Sequence, residues 1–336
     1  MTEGERPLDA ALGRIDALDP WCTYTVGAPG DGGWYGVAEI VEDGSLVAGW
    51  LAHMRANVTQ GRGDVAGSYL ASWLGSLLVG PAAVLLATRR RTWRLTSDLL
   101  AVHLHAGGWF DGLAVRSHPL QVVAGDPLAA GVTGCPPDVQ VLADIDVDAL
   151  RAQNVDGSPL DVQALADVGV DALRAQNVDG CPPDVQVLAD VEVLRAQFAD
   201  DVVGLLTPVF GHIRAHASFG LSGMWGTIAD AVADQVVQAA ERDGMDVAAA
   251  WCQVAALTAA LAERVPLLRA RPSLAPVTWS GGVTHMTVRG TCCLFHKISG
   301  CELDPVGDAY CVNCPSRDPA DRRRRWAAEL EELAAT

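Results

Sequence analysis

Apolar residues recur at helical spacing most clearly in the second half of the chain. Leu194, Phe198, Val202, Leu205, Val209 and Ile213 stand three or four apart, which places them on one face of a helix. Met224, Trp225, Ile228, Val232 and Val236 repeat the pattern, and a third run covers about residues 247–261. Residues 7–18 read as a short amphipathic helix, and Asp43-Gly44-Ser45 is placed to open another through Trp50 and Met54. Asp318-Pro319 starts a last helix through Trp326 and Leu330, since proline suits a first turn. Alternation over residues 92–95 and 99–105 predicts strands, with another over 113–123 interrupted at Pro119. Residues 21–42 are Gly-rich and irregular with short strands, and residues 283–295 read as one strand. The expected fold class is α+β, mostly helical: a helical body with a modest antiparallel sheet and a C-terminal cysteine-rich segment. The expected divisions are residues 1–45, a body over 46–285, and residues 286–336.

Residues 65–88 carry no charge and are followed by Arg89-Arg90-Arg91, a flank that also suits a membrane span. Gly67, Gly75, Gly80 and Pro81 interrupt the stretch, and Ser68, Ser72 and Ser76 recur once per turn. These features predict a buried core helix, ended or kinked near Pro81. No transmembrane span is expected; peripheral membrane association stays open at this point.

Residues 134–200 are an internal repeat with a period of 23. Gly134-Cys135-Pro136-Pro137-Asp138-Val139-Gln140 returns as Gly157-Ser158-Pro159-Leu160-Asp161-Val162-Gln163 and as Gly180-Cys181-Pro182-Pro183-Asp184-Val185-Gln186. Three units are few for a solenoid, so the preferred reading is tandem duplication of one strand-turn-helix segment. Two of the three units are then surplus to the fold. Cys135 and Cys181 are copies of one position and weak metal ligands for that reason.

A net charge of −17 argues against general nucleic-acid binding, which calls for a basic surface. The first eighteen residues have no basic head and no apolar core, so no secretory signal is read there and the cytoplasm is the expected compartment. Thiols stay reduced in the cytoplasm, which turns attention to the cysteines. Five of the nine fall at positions 292, 293, 301, 311 and 314.

Cys311-x-x-Cys314 suits a metal, since the two-residue gap lets both sulfurs face one ion. Cys292-Cys293 is the discriminating pair. Adjacent strand residues point to opposite faces, so both bind only where the chain bends. A binuclear iron–sulfur core is a wider target for vicinal thiolates than a single zinc and is preferred here. Structural zinc on a helical binding protein is the alternative, and a vicinal disulfide or a set of buried thiols is the third reading.

The paired cysteines, preceded by Arg289 and Thr291 and followed by Leu294 and Phe295, and then the Cys311-Val312-Asn313-Cys314-Pro315 run, resemble the FhuF family of ferric-siderophore reductases. Met224-Trp225-Gly226 opening a helix and the proline-containing helix over residues 71–88 resemble it too, and the likeness spans roughly residues 45–336. The resemblance implies a [2Fe-2S] cluster held by Cys292, Cys293, Cys311 and Cys314, and one-electron reduction of ferric iron in a hydroxamate-type siderophore. The electron donor has no signature in the sequence. An electron carrier or redox sensor acting on a protein partner is a further alternative. Residues 294–310 separate the two pairs by more than the family does, and Cys301 lies in the added length. A longer loop costs little, so Cys311 is kept as the third ligand over Cys301.

Other residues weigh less. His212 and His216 stand one turn apart without the glutamate of a zinc-protease motif, and read as ordinary helix-surface histidines. His103 and His105 read as structural. His285 and His296 flank the cysteines, where either could tune or ligate a cluster. Arg289 and Lys297 are the cations nearest the pair in sequence, expected to act on potential or docking. Residues 61–67 miss the dinucleotide fingerprint by one position. Arg322–Arg325 read as a solvated first turn.

Overall fold

The computed structural model describes residues 6–19, 21–27, 32–129, 184–298 and 310–335. Its centre is α4 (Gly63–Arg89), which packs most extensively against α6 (Leu221–Arg242). Burial of nearly every residue from Leu74 to Leu86 explains why the sequence shows no polar face there. α4 is long and apolar enough to cross a membrane, but 78% of its most apolar window is buried inside the fold. The helix does not end at Pro81; it runs on to Arg89. Proline supplies no N–H to the Leu77 carbonyl, and one residue earlier Gln235 of α6 donates to the Ser76 carbonyl (3.0 Å).

Around this pair lie α3 (Gly44–Asn57), α5 (Val191–His216) and α7 (Val247–Arg264). The Asp43 carboxylate caps α3 through the Ser45 N–H (2.9 Å), as the sequence predicts. A four-stranded sheet runs in the order β1 (Thr23–Val26), β5 (Phe110–Val115), β4 (Leu100–Leu104), β2 (Trp34–Gly36). A second orders β3 (Arg91–Thr92), β6 (Leu120–Val123) and β7 (Val185–Leu188). The fold is α+β and mostly helical. The sheets are mixed rather than antiparallel throughout, since β1–β5 and β6–β7 are parallel pairs. The run over residues 113–123 is two strands in different sheets, and the strand expected at 92–95 ends at Thr92.

No break in packing falls at residue 45. α1 (Pro7–Leu18) buries Leu8, Leu12 and Ile15 in the main core, and β1 and β2 pair with β5 and β4. α2 (Val37–Glu42) adds Val37 and Ile40 to the same core.

The first two repeat copies lie outside the described residues, as do Cys135, Cys181 and Cys301. The third copy builds the fold: Val185–Leu188 is β7, Asp190 caps α5 through the Glu192 and Val193 N–H groups (2.8 and 2.9 Å), and Leu194 and Phe198 enter the core. Residues 138–144 and 184–190 are identical in sequence, but Asn154 and Asn177 stand where the third copy has Phe198. Only that copy carries the apolar residue that α5 buries.

The C-terminal part has a small core of its own. β8 (Ser273–Trp279) and β9 (Gly282–Val288) form a hairpin, and Val277, Val288 and Trp326 of α8 (Pro319–Ala335) are buried between hairpin and helix. The strand stops at Val288, short of the cysteines.

Candidate metal centre

α6 holds β9 and the segment that follows it through three acids spaced along one side of the helix. Glu241 accepts from the His285 N–H (2.8 Å), Asp234 from the Thr287 hydroxyl (2.6 Å) and Asp230 from the Gly290 and Thr291 N–H groups (2.6 and 3.1 Å). Carboxylates thus satisfy backbone donors that a further strand would otherwise take. The approach is close: a Cβ on Gly226 would overlap Thr291 Oγ1, and one on Gly290 would overlap the Arg271 backbone. Asp230 also accepts from Arg289 Nε (3.4 Å). Burial outweighs these donors and pushes the Asp230 carboxyl up to about 6. Arg289 is half-buried, and Asp230 and the sulfurs of Cys293 and Cys311 hold its pKa above the ordinary value against the cost of desolvation.

After Thr291 the chain turns. Leu294 takes a left-handed conformation (φ 62°) and its N–H points at Cys292 Sγ (3.4 Å). The turn falls directly after the adjacent cysteines. Cys293 Sγ lies 3.6 Å from Cys311 Sγ, and Cys292 Sγ lies 3.7 Å from His296 Nδ1. The Cys311 thiol bonds to Cys293 and, with the Arg289 charge, holds Cys293 down to about 6 against burial. Cys311 is correspondingly pushed up. Burial, then the neighbouring Cys314, raises Cys292.

The second pair sits on a β-turn, Cys314 N–H donating to the Cys311 carbonyl (3.0 Å). Two arginines beside and within α8 fasten the turn. Arg317 donates to the carbonyls of Tyr310 and Cys311, and Arg322 to those of Cys314 and Arg317 (2.7 and 2.8 Å). Both are buried, at 4% and 5% exposure. The expectation of a solvated first turn therefore fails for Arg322, because orphan carbonyls of the turn need its donors. Asp321 anchors Arg317 and Arg325 and is held down to about 2 by them. Asn313 accepts from Trp326 Nε1 (3.0 Å) and its carbonyl takes the Arg289 N–H (3.0 Å), joining the turn to β9.

A cavity of about 210 Å³ lies between α4 and the cysteine segment, lined by Tyr69, Ser72, Trp73, Arg289, Cys293, Phe295 and Cys311. All four cysteines predicted as ligands are thus gathered at one end of the fold. Lys297 is not aimed at them; it pairs with Asp64 at the start of α4 (2.6 Å). His285 is held by Glu241 (3.0 Å), His212 by the Val41 carbonyl (2.8 Å), and His103 by Asp111 (2.6 Å), while His105 stacks on Trp109. The sequence reading missed Asp230, Asp64 and the cavity wall of Tyr69, Ser72 and Trp73. For Asp230 there was a signal: Asp230, Asp234 and Glu241 interrupt an apolar helix at intervals that keep one face.

The donor set fits a metal–thiolate group. Two thiolates on one tetrahedral metal with bonds of about 2.3 Å stand about 3.8 Å apart, close to the 3.6 Å between Cys293 and Cys311. Among the described residues no three His, Cys, Asp or Glu side chains converge to grip a single ion. Among the described residues the sulfurs in mutual contact are those of Cys293 and Cys311. No family model matches this chain, and no curated protein matches it.

Proposed function

We propose that this chain is a cytoplasmic one-electron reductase of ferric iron held by a siderophore, with a [2Fe-2S] cluster on Cys292, Cys293, Cys311 and Cys314. The observation that carries the reading is the placement of the two cysteine pairs: a half-buried cation beside them and a cavity opening from Cys293 and Cys311 toward α4. When bound, such a cluster supplies a one-electron couple. The chain's own residues do the rest. Arg289 keeps a positive charge beside two of the thiolates, which favours added negative charge there in a low-dielectric setting. Asp230 fixes that guanidinium and the backbone leading to Cys292. Arg317, Arg322 and Trp326 hold the second pair on a stiff turn.

The substrate is iron(III) bound by oxygen donors. One electron makes it softer and less charged, and the chelator's grip falls. The cavity of about 210 Å³ is smaller than the roughly 300–1,000 Å³ of pockets that engulf a ligand. It suits one edge of a chelate, presented to Tyr69, Trp73 and Phe295, and not the whole molecule.

An anaerobic visible and EPR spectrum, before and after dithionite, with iron and sulfide assays, tests the reading. Two irons and two sulfides per chain, bleaching on reduction and an S = 1/2 signal are expected. Colourless protein with one zinc per chain would sink it, as would failure of anaerobic reconstitution.

A further inference from the structure

The sequence alone suggests that Cys311 and Cys314, two residues apart, face one metal. The side-chain geometry points elsewhere. Cys311 Sγ is 3.6 Å from Cys293, a residue on the other segment. The left-handed turn at Leu294 and its N–H on Cys292 Sγ set the Cys292 side chain apart from that contact. Cys292 Sγ instead meets His296 Nδ1 at 3.7 Å, which leaves Cys314 as the fourth thiol. Surroundings divide the same way. Cys293 and Cys311 line the cavity with Arg289, Tyr69, Trp73 and Phe295, whereas Cys314 is 1% exposed beneath the turn that Arg322 fastens.

We infer that the four thiols are divided crosswise, Cys293 with Cys311 on one metal position and Cys292 with Cys314 on the other, and that the Cys293–Cys311 half is the one that faces the substrate cavity. Assigning a metal to each half, and Cys292 to Cys314, rests on the cluster reading above; the contact of Cys293 with Cys311 does not. Crosswise sharing also explains why adjacent cysteines are useful. Each sends its sulfur to a different position, so a binuclear site is spanned by neighbouring residues, and a single ion gains nothing from it. It makes the two halves chemically unlike, one beside a half-buried guanidinium and aromatic rings, the other beside an imidazole and a buried turn.

The pairing is read first without metal. Full-length apoprotein, prepared anaerobically and treated with diamide, which takes one hydrogen from each thiol of a pair, is digested and mapped by tandem mass spectrometry. Sulfurs 3.6 Å apart close to a disulfide of about 2.05 Å by a small rotation. Cys293–Cys311 is the expected major linkage, with Cys292–Cys314 the second. A Cys292–Cys293 or Cys311–Cys314 bridge, a bridge to Cys301, or thiols that stay free would overturn the inference. The second reading uses the reconstituted protein and four single variants, Cys292→Ser, Cys293→Ser, Cys311→Ser and Cys314→Ser. Their visible circular dichroism is expected to fall into two classes, 293 with 311 and 292 with 314. Grouping by sequence neighbours refutes it. Metal analysis of the same preparations separates the two claims: zinc without iron ends the reductase reading, while a Cys293–Cys311 bridge in that protein leaves the pairing standing.

Discussion

Removing residues 134–179 should stabilise the protein. β6 ends at Val123 and its parallel partner β7 begins at Val185, so residues 124–184 form one crossover. Deletion joins Thr133 to Gly180 and restores the same Thr-Gly-Cys-Pro-Pro-Asp-Val-Gln sequence found at 133–140. Fifteen residues remain of the sixty-one. A parallel crossover needs about a dozen or more, so the shortened connection still reaches. β7, the Asp190 cap, Leu194 and Phe198 all belong to the retained third copy. If the deleted stretch contributes only length, the gain is the difference in loop-closure entropy, 3/2 RT ln(61/15), or about 1.2 kcal/mol.

Urea unfolding of both proteins checks this. With a slope of about 3 kcal/mol/M the midpoint should rise by roughly 0.4 M, with unchanged iron per chain in reconstituted protein. An insoluble product, or a midpoint lowered by a similar amount, would refute the reasoning. Either result would mean that residues 134–179 pack on the body and are not surplus.

Three further outcomes follow from the site. Asp230 is held near 6 by burial, above the ordinary carboxylate value of about 3.8. Its contribution to stability is therefore full below about pH 4 and is lost as pH rises through about 6. Asp230→Asn should flatten the difference in unfolding free energy across that window by up to about 3 kcal/mol; an unchanged slope refutes the assignment. Asp321 acts in the opposite sense and lower down, its stabilisation present above about pH 4 and lost toward pH 2, so it does not confuse the comparison. Trp326→Ala empties the small core under the hairpin and strips Asn313 of its donor. A cost of about 3–5 kcal/mol is expected, with iron lost from the reconstituted protein; full iron retention would count against the clamp. Gly226→Ala sets a methyl against Thr291 and within 3.2 Å of the Ala270 Cβ. Overpacking of this kind costs about 1–3 kcal/mol, and the displaced Thr291 should disturb the visible spectrum; a native spectrum and midpoint would show that the segment yields freely.

Much of the helical body was legible because burial imposes a period that sequence preserves. α5, α6 and α7 follow their apolar faces, and the cap at Asp43 is local chemistry. What the sequence hid depends on distant partners. Whether Pro81 ends α4 is decided by the buried helices around it, not by the proline. The parallel pairing of β1 with β5 joins segments far apart in sequence. The four cysteines could be singled out from their grouping, but the contact of Cys293 with Cys311 depends on a chain course that sequence does not give, with Leu294 left-handed and the second pair held by Arg317 and Arg322. Those arginines look like a surface charge run until the turn's carbonyls are seen to need donors.

The position of Asp230 explains why the cysteine segment lies where it does. A chain leaving a strand edge has N–H groups with no ladder partner, and burying them unpaired costs about 1–3 kcal/mol each. Asp230 accepts two of them at Gly290 and Thr291 and also meets the guanidinium of Arg289. Its charge is costly at 4% exposure, which is why the carboxyl sits near 6. A neutral amide would cost less to bury but would leave Arg289 without a countercharge. An acid at this position ties the orientation of a half-buried cation to the course of the backbone entering the first cysteine pair. Asp234 and Glu241 extend the same attachment along α6, and Gly226 permits the approach. The thiols are thereby anchored to α6, the helix that packs most extensively on α4.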